Sequence, residues 1–343
     1  GRFERGVNCE GTMTALERAC QLVEELGAGE IIGGYVDAYP NPKPVRTLKL
    51  EPERISAYIG AEIDRDFMVK TLEKLAFNAL PATISEDMWS HQYVQLSNQI
   101  ACEKFDGNPP FRTNGREAHM FGLEPNFGCC TANFNQGWPK FTQNLWYRNE
   151  KGGLAAMVYA PCHFTTDIKG VRVTVEEKTY YPMDGKVEIL ISMPESQSVQ
   201  MPMQFRIPSW AAGAAVKVNG SPVEAVPGET LTLDRKWKNS DMVVLDFPMA
   251  IRTDTWYENA VSVERGPLVY ALKIDEKWEK VTLDPKERKG DYYWQVTAES
   301  PWNYAFMFMA SIEPEKHFTE RVDREKLKGN WYWSQKDAPI TLT

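Results

Sequence analysis

No stretch of the sequence approaches the roughly 18 consecutive apolar residues that a membrane-spanning helix needs. Nor does it open with a basic stretch followed by an apolar one, so neither a span nor a secretory leader is expected. Positive charge is in short supply as well: Lys and Arg number 39 against 47 Asp and Glu, a formal charge of -8. Such a surface repels phosphate backbones and anionic lipid, which sets aside nucleic acid and membrane as partners. Six cysteines in 343 residues are too sparse for a disulfide scaffold. Two of them, Cys129 and Cys130, are adjacent, and neighbours cannot readily bridge to each other without a strained ring. Internal repeats and low-complexity segments are also missing, which leaves an ordinary globular chain.

What is present divides in two. Met13, Leu16, Cys20 and Val23 recur at helical spacing behind Thr12 as a cap, with Gly27 as a stop. After a turn-rich stretch around Tyr39-Pro40-Asn41-Pro42, a second helix is predicted from about Glu53, and a third from Asp66 to Leu80, ended by Pro81. Residues 87–128 keep no period and contain Pro109-Pro110 and Asn114-Gly115, the mark of a long ordered loop. Phe134, Trp138, Phe141, Leu145 and Trp146 then return to one helical face between Thr131 and Arg148, with a kink at Gly137 to Pro139. Past Gly152-Gly153 the period changes to two. Short runs at Val171–Val175, Val187–Ile191, Met203–Ile207, Ala215–Val218, Thr230–Leu233, Val243–Phe247 and Val261–Val263 read as strands, and Asn219-Gly220 as a tight hairpin. The expectation is a multidomain α+β chain, helical over 1–150 and an all-β, jelly-roll-like sandwich over 151–343.

Candidate chemistry gathers in the loop region. Cys129-Cys130 precede a predicted helix, whose free N–H groups favour a thiolate, both a nucleophile and a zinc ligand. The same pair also reads as two buried, inert small hydrophobes, and spacing alone does not separate these readings. Trp89-Ser90-His91-Gln92-Tyr93 offers ring faces and hydrogen-bonding tips of the kind that line polar pockets, or an ordinary aromatic cluster with a satisfied histidine. Glu117 and Glu124 are the acids nearest in sequence, and glycosidases commonly use paired carboxylates.

Longer motifs add a resemblance. Phe121-Gly122-Leu123-Glu124-Pro125-Asn126-Phe127-Gly128-Cys129-Cys130-Thr131-Ala132-Asn133, followed by Gly137-Trp138-Pro139-Lys140-Phe141, resembles the β-L-arabinofuranosidases of glycoside hydrolase family 127 and its relatives. Ala76-Phe77-Asn78-Ala79-Leu80-Pro81, Asp87-Met88-Trp89-Ser90-His91-Gln92-Tyr93, Phe205-Arg206-Ile207-Pro208-Ser209-Trp210 and Glu264-Arg265-Gly266-Pro267-Leu268-Val269-Tyr270 agree with it, so the likeness runs from about Lys74 to Tyr304. The resemblance implies an (α/α)6 barrel, here only part of one, followed by β-sandwich modules. It implies retaining hydrolysis of a β-L-arabinofuranosyl linkage in an arabinose-containing oligosaccharide or glycan. Cys129 would be the nucleophile and a zinc ligand, Cys130 a further zinc ligand, and His91, Gln92, Tyr93, Glu117 and Glu124 would line the substrate site.

The family completes its zinc site with a Glu-x-Cys element and takes its acid/base glutamate from slightly upstream. Both belong between the Gly6-Val7-Asn8 landmark and the helix leading to Ala76, yet residues 10–66 hold nothing corresponding. A catalytically silent glycan-binding or structural remnant is therefore the alternative expectation. With Gly1 in first place and a strand-like stretch at the end, the sequence reads as cut at both termini. That leaves a bacterial-type cytoplasmic or exported location open, and the β region offers faces on which a homodimer could form.

Overall fold

The computed structural model describes residues 12–36, 38, 40, 51–105, 115–124, 127–287, 289–307, 312–329 and 332–343. The chain separates into two compact units, Gly1–Arg54 and Ile55–Thr343. In the first, the expected helix spans Thr12–Glu25. It stops where expected, because Gly27 takes a left-handed φ of 61° and the Ala28 amide turns back to the Val23 carbonyl at 2.9 Å. Most of the predicted Tyr39 to Pro42 turn, along with Cys9, Pro109-Pro110, Asn114, Pro125 and Asn126, lies outside the described residues.

The helix Pro52–Ile59 crosses from one unit into the next in sequence. The third predicted helix exists but is built differently. Asp64 caps Arg65–Lys74 by accepting the Phe67 amide at 3.0 Å. The helix then widens into a π turn over Leu75–Ala79 and continues through Leu80–Ala82. The helix ends at Ala82, one residue past Pro81. This element docks onto the sheets through buried polar contacts. Glu73 is fully buried and accepts from Arg206 Nη2 at 2.6 Å and from the Tyr181 hydroxyl at 2.6 Å. Arg206 Nε donates to the Met157 carbonyl at 2.9 Å, and the Tyr159 hydroxyl donates to the Arg206 carbonyl at 2.6 Å. One turn on, Asn78 completes a strand edge, giving Nδ2 to the Pro267 carbonyl at 2.9 Å and taking the Val269 amide at 2.8 Å.

Every strand run read from the period-two pattern is a strand. Six antiparallel strands form one sheet in the order Ser221–Val223, Ala215–Val218, Asp241–Asp246, Lys186–Ser192, Val171–Thr179 and Cys162–Ile168. A second sheet runs Thr230–Lys238, Ser198–Arg206, Leu154–Ala156 and Trp146–Arg148, its Leu154–Ala156 pairing parallel to Ser198–Arg206. Alternate residues of both sheets, among them Val173, Val175, Val187, Ile189, Met201, Met203 and Phe205, enter one apolar cluster with Phe77, Phe141 and Trp237. Asn219 and Gly220 take φ of 51° and 82°, the doubly left-handed turn their hairpin requires. Trp146–Arg148, read as helical, is a strand paired with Leu154–Ala156, because Trp146 packs on Phe164 and Phe205 of the sheets.

The expected boundary at 150 falls inside the second unit. The helices of that unit, together with Gly128–Phe134 and Gly137–Gln143, close no (α/α)6 barrel among the described residues, and what dominates is sheet. No described helix is long and apolar enough to cross a membrane.

Candidate functional site

The region read as loop holds short paired segments that fix the site. His91 exchanges backbone hydrogen bonds with Gly122, at 2.9 and 3.1 Å, and Phe121–Gly122 pairs with Tyr292–Ala298. Only glycine fits at 122, since a Cβ there would lie 2.9 Å from the Tyr293 Cβ. Two residues beyond Gly122, Glu124 turns its Oε1 to the Phe127 amide at 2.8 Å and anchors the start of the helix Gly128–Phe134.

Both cysteines sit in the first turn of that helix. Cys129 is exposed and Cys130 half-buried, with their sulfurs 3.7 Å apart. His91 and Tyr93 flank them. The Tyr93 ring stacks on Phe127 with centroids 3.8 Å apart, and the His91 ring stacks on Phe134 while its Nε2 meets Thr131 Oγ1 at 3.1 Å. Burial lowers His91 below its ordinary pKa, against the opposing charge of Glu124, so the ring is neutral at neutral pH. The Cys130 thiol is pushed up, first by burial, then by its hydrogen bond and charge interaction with Cys129 and by the charge of Glu124, while a bond with Tyr93 partly offsets this. The helix start does not make Cys130 a ready thiolate. Exposure singles out Cys129 as the thiol that an incoming molecule would meet first.

Cys129, Cys130, Glu124, His91 and Tyr93 thus form one neighbourhood. Glu117 and Gln92 are engaged elsewhere. Glu117 takes Lys289 at 2.8 Å and Lys104 at 3.1 Å. Burial alone would raise its carboxyl, yet the two lysines outweigh that and hold it below the usual range. Gln92 Oε1 accepts the Cys102 thiol at 3.7 Å. Phe127, Thr131 and Phe134 belong to the site as supports, and the sequence signals them only by their place around the cysteine pair.

Zinc can be weighed against this donor set. Two thiolates on a tetrahedral zinc lie about 3.8 Å apart, given Zn–S bonds of about 2.3 Å, and the cysteine sulfurs match that spacing. A closed site needs four donors, however, and among the described residues no three His, Cys, Asp or Glu side chains come together to hold a metal. Among the described residues, Cys129 and Cys130 offer two sulfur donors at that spacing and no third donor joins them.

Residues 153–249 match the family model for the GH127 middle domain of beta-L-arabinofuranosidase. Over that domain the resemblance read from the sequence holds. A solved structure described as a glycoside hydrolase superposes with a TM-score of 0.52 at 20% identity, covering 75% of this chain and 45% of that one. A GH127 beta-L-arabinofuranosidase from Geobacillus stearothermophilus T6 does so with a TM-score of 0.50 at 19% identity, covering 85% and 44%. At these identities both speak for the fold alone, and the chain spans less than half of either. A different likeness accompanies them. The phenylalanine–tRNA ligase beta subunit of Salinibacter ruber is 36% identical over 77 residues, 22% of this chain and 9% of that subunit. The same subunit from Moorella thermoacetica is 40% identical over 74 residues, 22% of this chain and again 9% of the subunit.

Proposed function

We propose, from residues 153–249 that match the GH127 middle domain of beta-L-arabinofuranosidase, that this chain carries the nucleophile side of a glycosidase site for β-L-arabinofuranosides, with Cys129 as the attacking group. The observation that supports this most is the exposed Cys129 thiol in the first turn of the helix Gly128–Phe134, beside Cys130. The zinc that the resemblance implies would take Cys129 and Cys130 as two donors, with the others supplied by residues outside the neighbourhood described.

In the reaction, the Cys129 thiolate attacks the anomeric carbon from the face opposite the glycosidic oxygen. The C–S bond forms as the C–O bond breaks, leaving a pentosyl thioether on Cys129. Water then displaces the thioether with a second inversion, so configuration is retained. His91, Tyr93 and Glu124, in the neighbourhood of the cysteines, carry groups of the kind that hydrogen-bond sugar hydroxyls. The leaving oxygen needs a proton unless it departs as a stable anion. Glu117 is neutralised by two lysines and Glu124 already accepts an amide, so neither is assigned that task.

The test follows from that asymmetry. A p-nitrophenyl β-L-arabinofuranoside has a leaving group that departs without a proton donor. The chain should release p-nitrophenol in a burst equal to one equivalent, and Cys129→Ala should release none. A burst that persists in Cys129→Ala overturns the assignment. No release from either form favours a catalytically silent, glycan-binding remnant.

A further inference from the structure

Neither the cysteine site nor the sheets account for the residues ahead of the helix Arg65–Lys74. No described residue before Glu73 is buried, and the first buried apolar side chain is Ala76. A helix of an (α/α)6 barrel buries one face against its neighbours. The helix Thr12–Glu25 instead leaves Leu16 and Leu22 exposed, at 44% and 39%. The glycosidase-like motifs begin abruptly at the same place, with Ala76-Phe77-Asn78-Ala79-Leu80-Pro81, and the stretch before them lacks the acidic and cysteine elements that a family 127 barrel would carry there.

The ligase likeness fits this gap. The matched stretches are 74 to 88 residues long, and the middle domain takes residues 153–249. Between Ala76 and Phe141, and again between Glu264 and Tyr270, the chain carries glycosidase-like motifs. The stretch after Tyr304 is about half the required length. The segment ahead of Ala76, 75 residues, is the one clear of all of these that holds a match of 74 residues, and the matches of 88 residues run on past it.

We infer that the chain joins two modules of different ancestry: a leading segment, to about Lys74, shared with phenylalanine–tRNA ligase beta subunits, and a glycosidase part that begins near Ala76. The leading segment replaces the portion of the barrel that would complete the metal and acid/base groups. Its last turn meets the sheets through Glu73 and Arg206, while no described residue ahead of Glu73 is buried. The inference stands apart from the role given to Cys129, because its test reads folding and superposition, not chemistry.

That test uses the full chain and two variants. Ala19→Pro interrupts Thr12–Glu25 at an exposed position. It should leave the main thermal transition where it was, whereas Phe77→Ala, in the core cluster, should lower it by about 10 °C. An experimental structure of the full chain should superpose residues 12–74 on a segment of a ligase beta subunit. A main transition lowered as much by Ala19→Pro as by Phe77→Ala, or superposition of residues 12–74 on glycosidase barrel helices, would overturn the inference.

Discussion

Replacing Arg206 by methionine removes one partner from a charge pair that has almost no water. The Arg206 and Glu73 side chains are 4% and 0% exposed, and their contact of 2.6 Å is backed by only one other donor to the carboxylate, the Tyr181 hydroxyl. Arg206→Met leaves Glu73 charged, buried and short of a partner, and strips the Met157 carbonyl of its donor. Breaking a buried pair from one side costs about 3–5 kcal/mol, mostly the penalty of the stranded charge. For a unit of this size that corresponds to about 10 °C in Tm. Removing both charges together avoids the stranded ion, so Glu73→Met/Arg206→Met should recover most of the loss. Urea unfolding of the two single variants and the double variant measures the coupling directly. A loss below about 1 kcal/mol in Arg206→Met, or a double variant no more stable than the single ones, would refute the view that this arginine is an architectural latch.

Two further outcomes are expected. Burial raises the Glu177 carboxyl from 4.5 to about 7, against hydrogen bonds from Trp146, Ala160 and Cys162. Its folded pKa lies above its unfolded one, so the folded state keeps a proton that the unfolded chain releases. Its contribution to stability is therefore full below about pH 4.5 and declines by up to about 3 kcal/mol as pH rises to about 7. Urea unfolding of Glu177→Gln across that range should lose this decline, and an unchanged slope would contradict it. Asn78→Ala should cost about 2 kcal/mol, because the Pro267 carbonyl and Val269 amide both lose their partner, and chemical denaturation would register it. A cost near zero would mean water replaces the carboxamide.

The sheets were legible because burial on one face imposes a period of two that no other element shares: Val187, Ile189 and Ile191 point inward and appear as alternation. The Asn219-Gly220 hairpin was legible because few residues tolerate its backbone. Trp146 misled the helical reading because an aromatic at helical spacing packs equally well from a strand. Pro81 marked the end of the third helix to within one residue, because a proline disfavours helical continuation around it. At the site, the cysteine pair, His91, Tyr93 and Glu124 lie in one neighbourhood. Glu117 did not, since the lysines that occupy it, Lys104 and Lys289, lie far apart in sequence and leave no local pattern. Gln92, next to His91, faces Cys102, as alternation along an extended segment sends neighbours to opposite sides.

The most direct measurement of the central claim is peptide mapping by mass spectrometry after acid quench of the chain with p-nitrophenyl β-L-arabinofuranoside. One pentosyl unit should be found on Cys129 and none on Cys130, with the adduct lost in Cys129→Ala. A pentosyl unit on Cys130, or on neither sulfur while p-nitrophenol is released, would contradict Cys129 as the nucleophile.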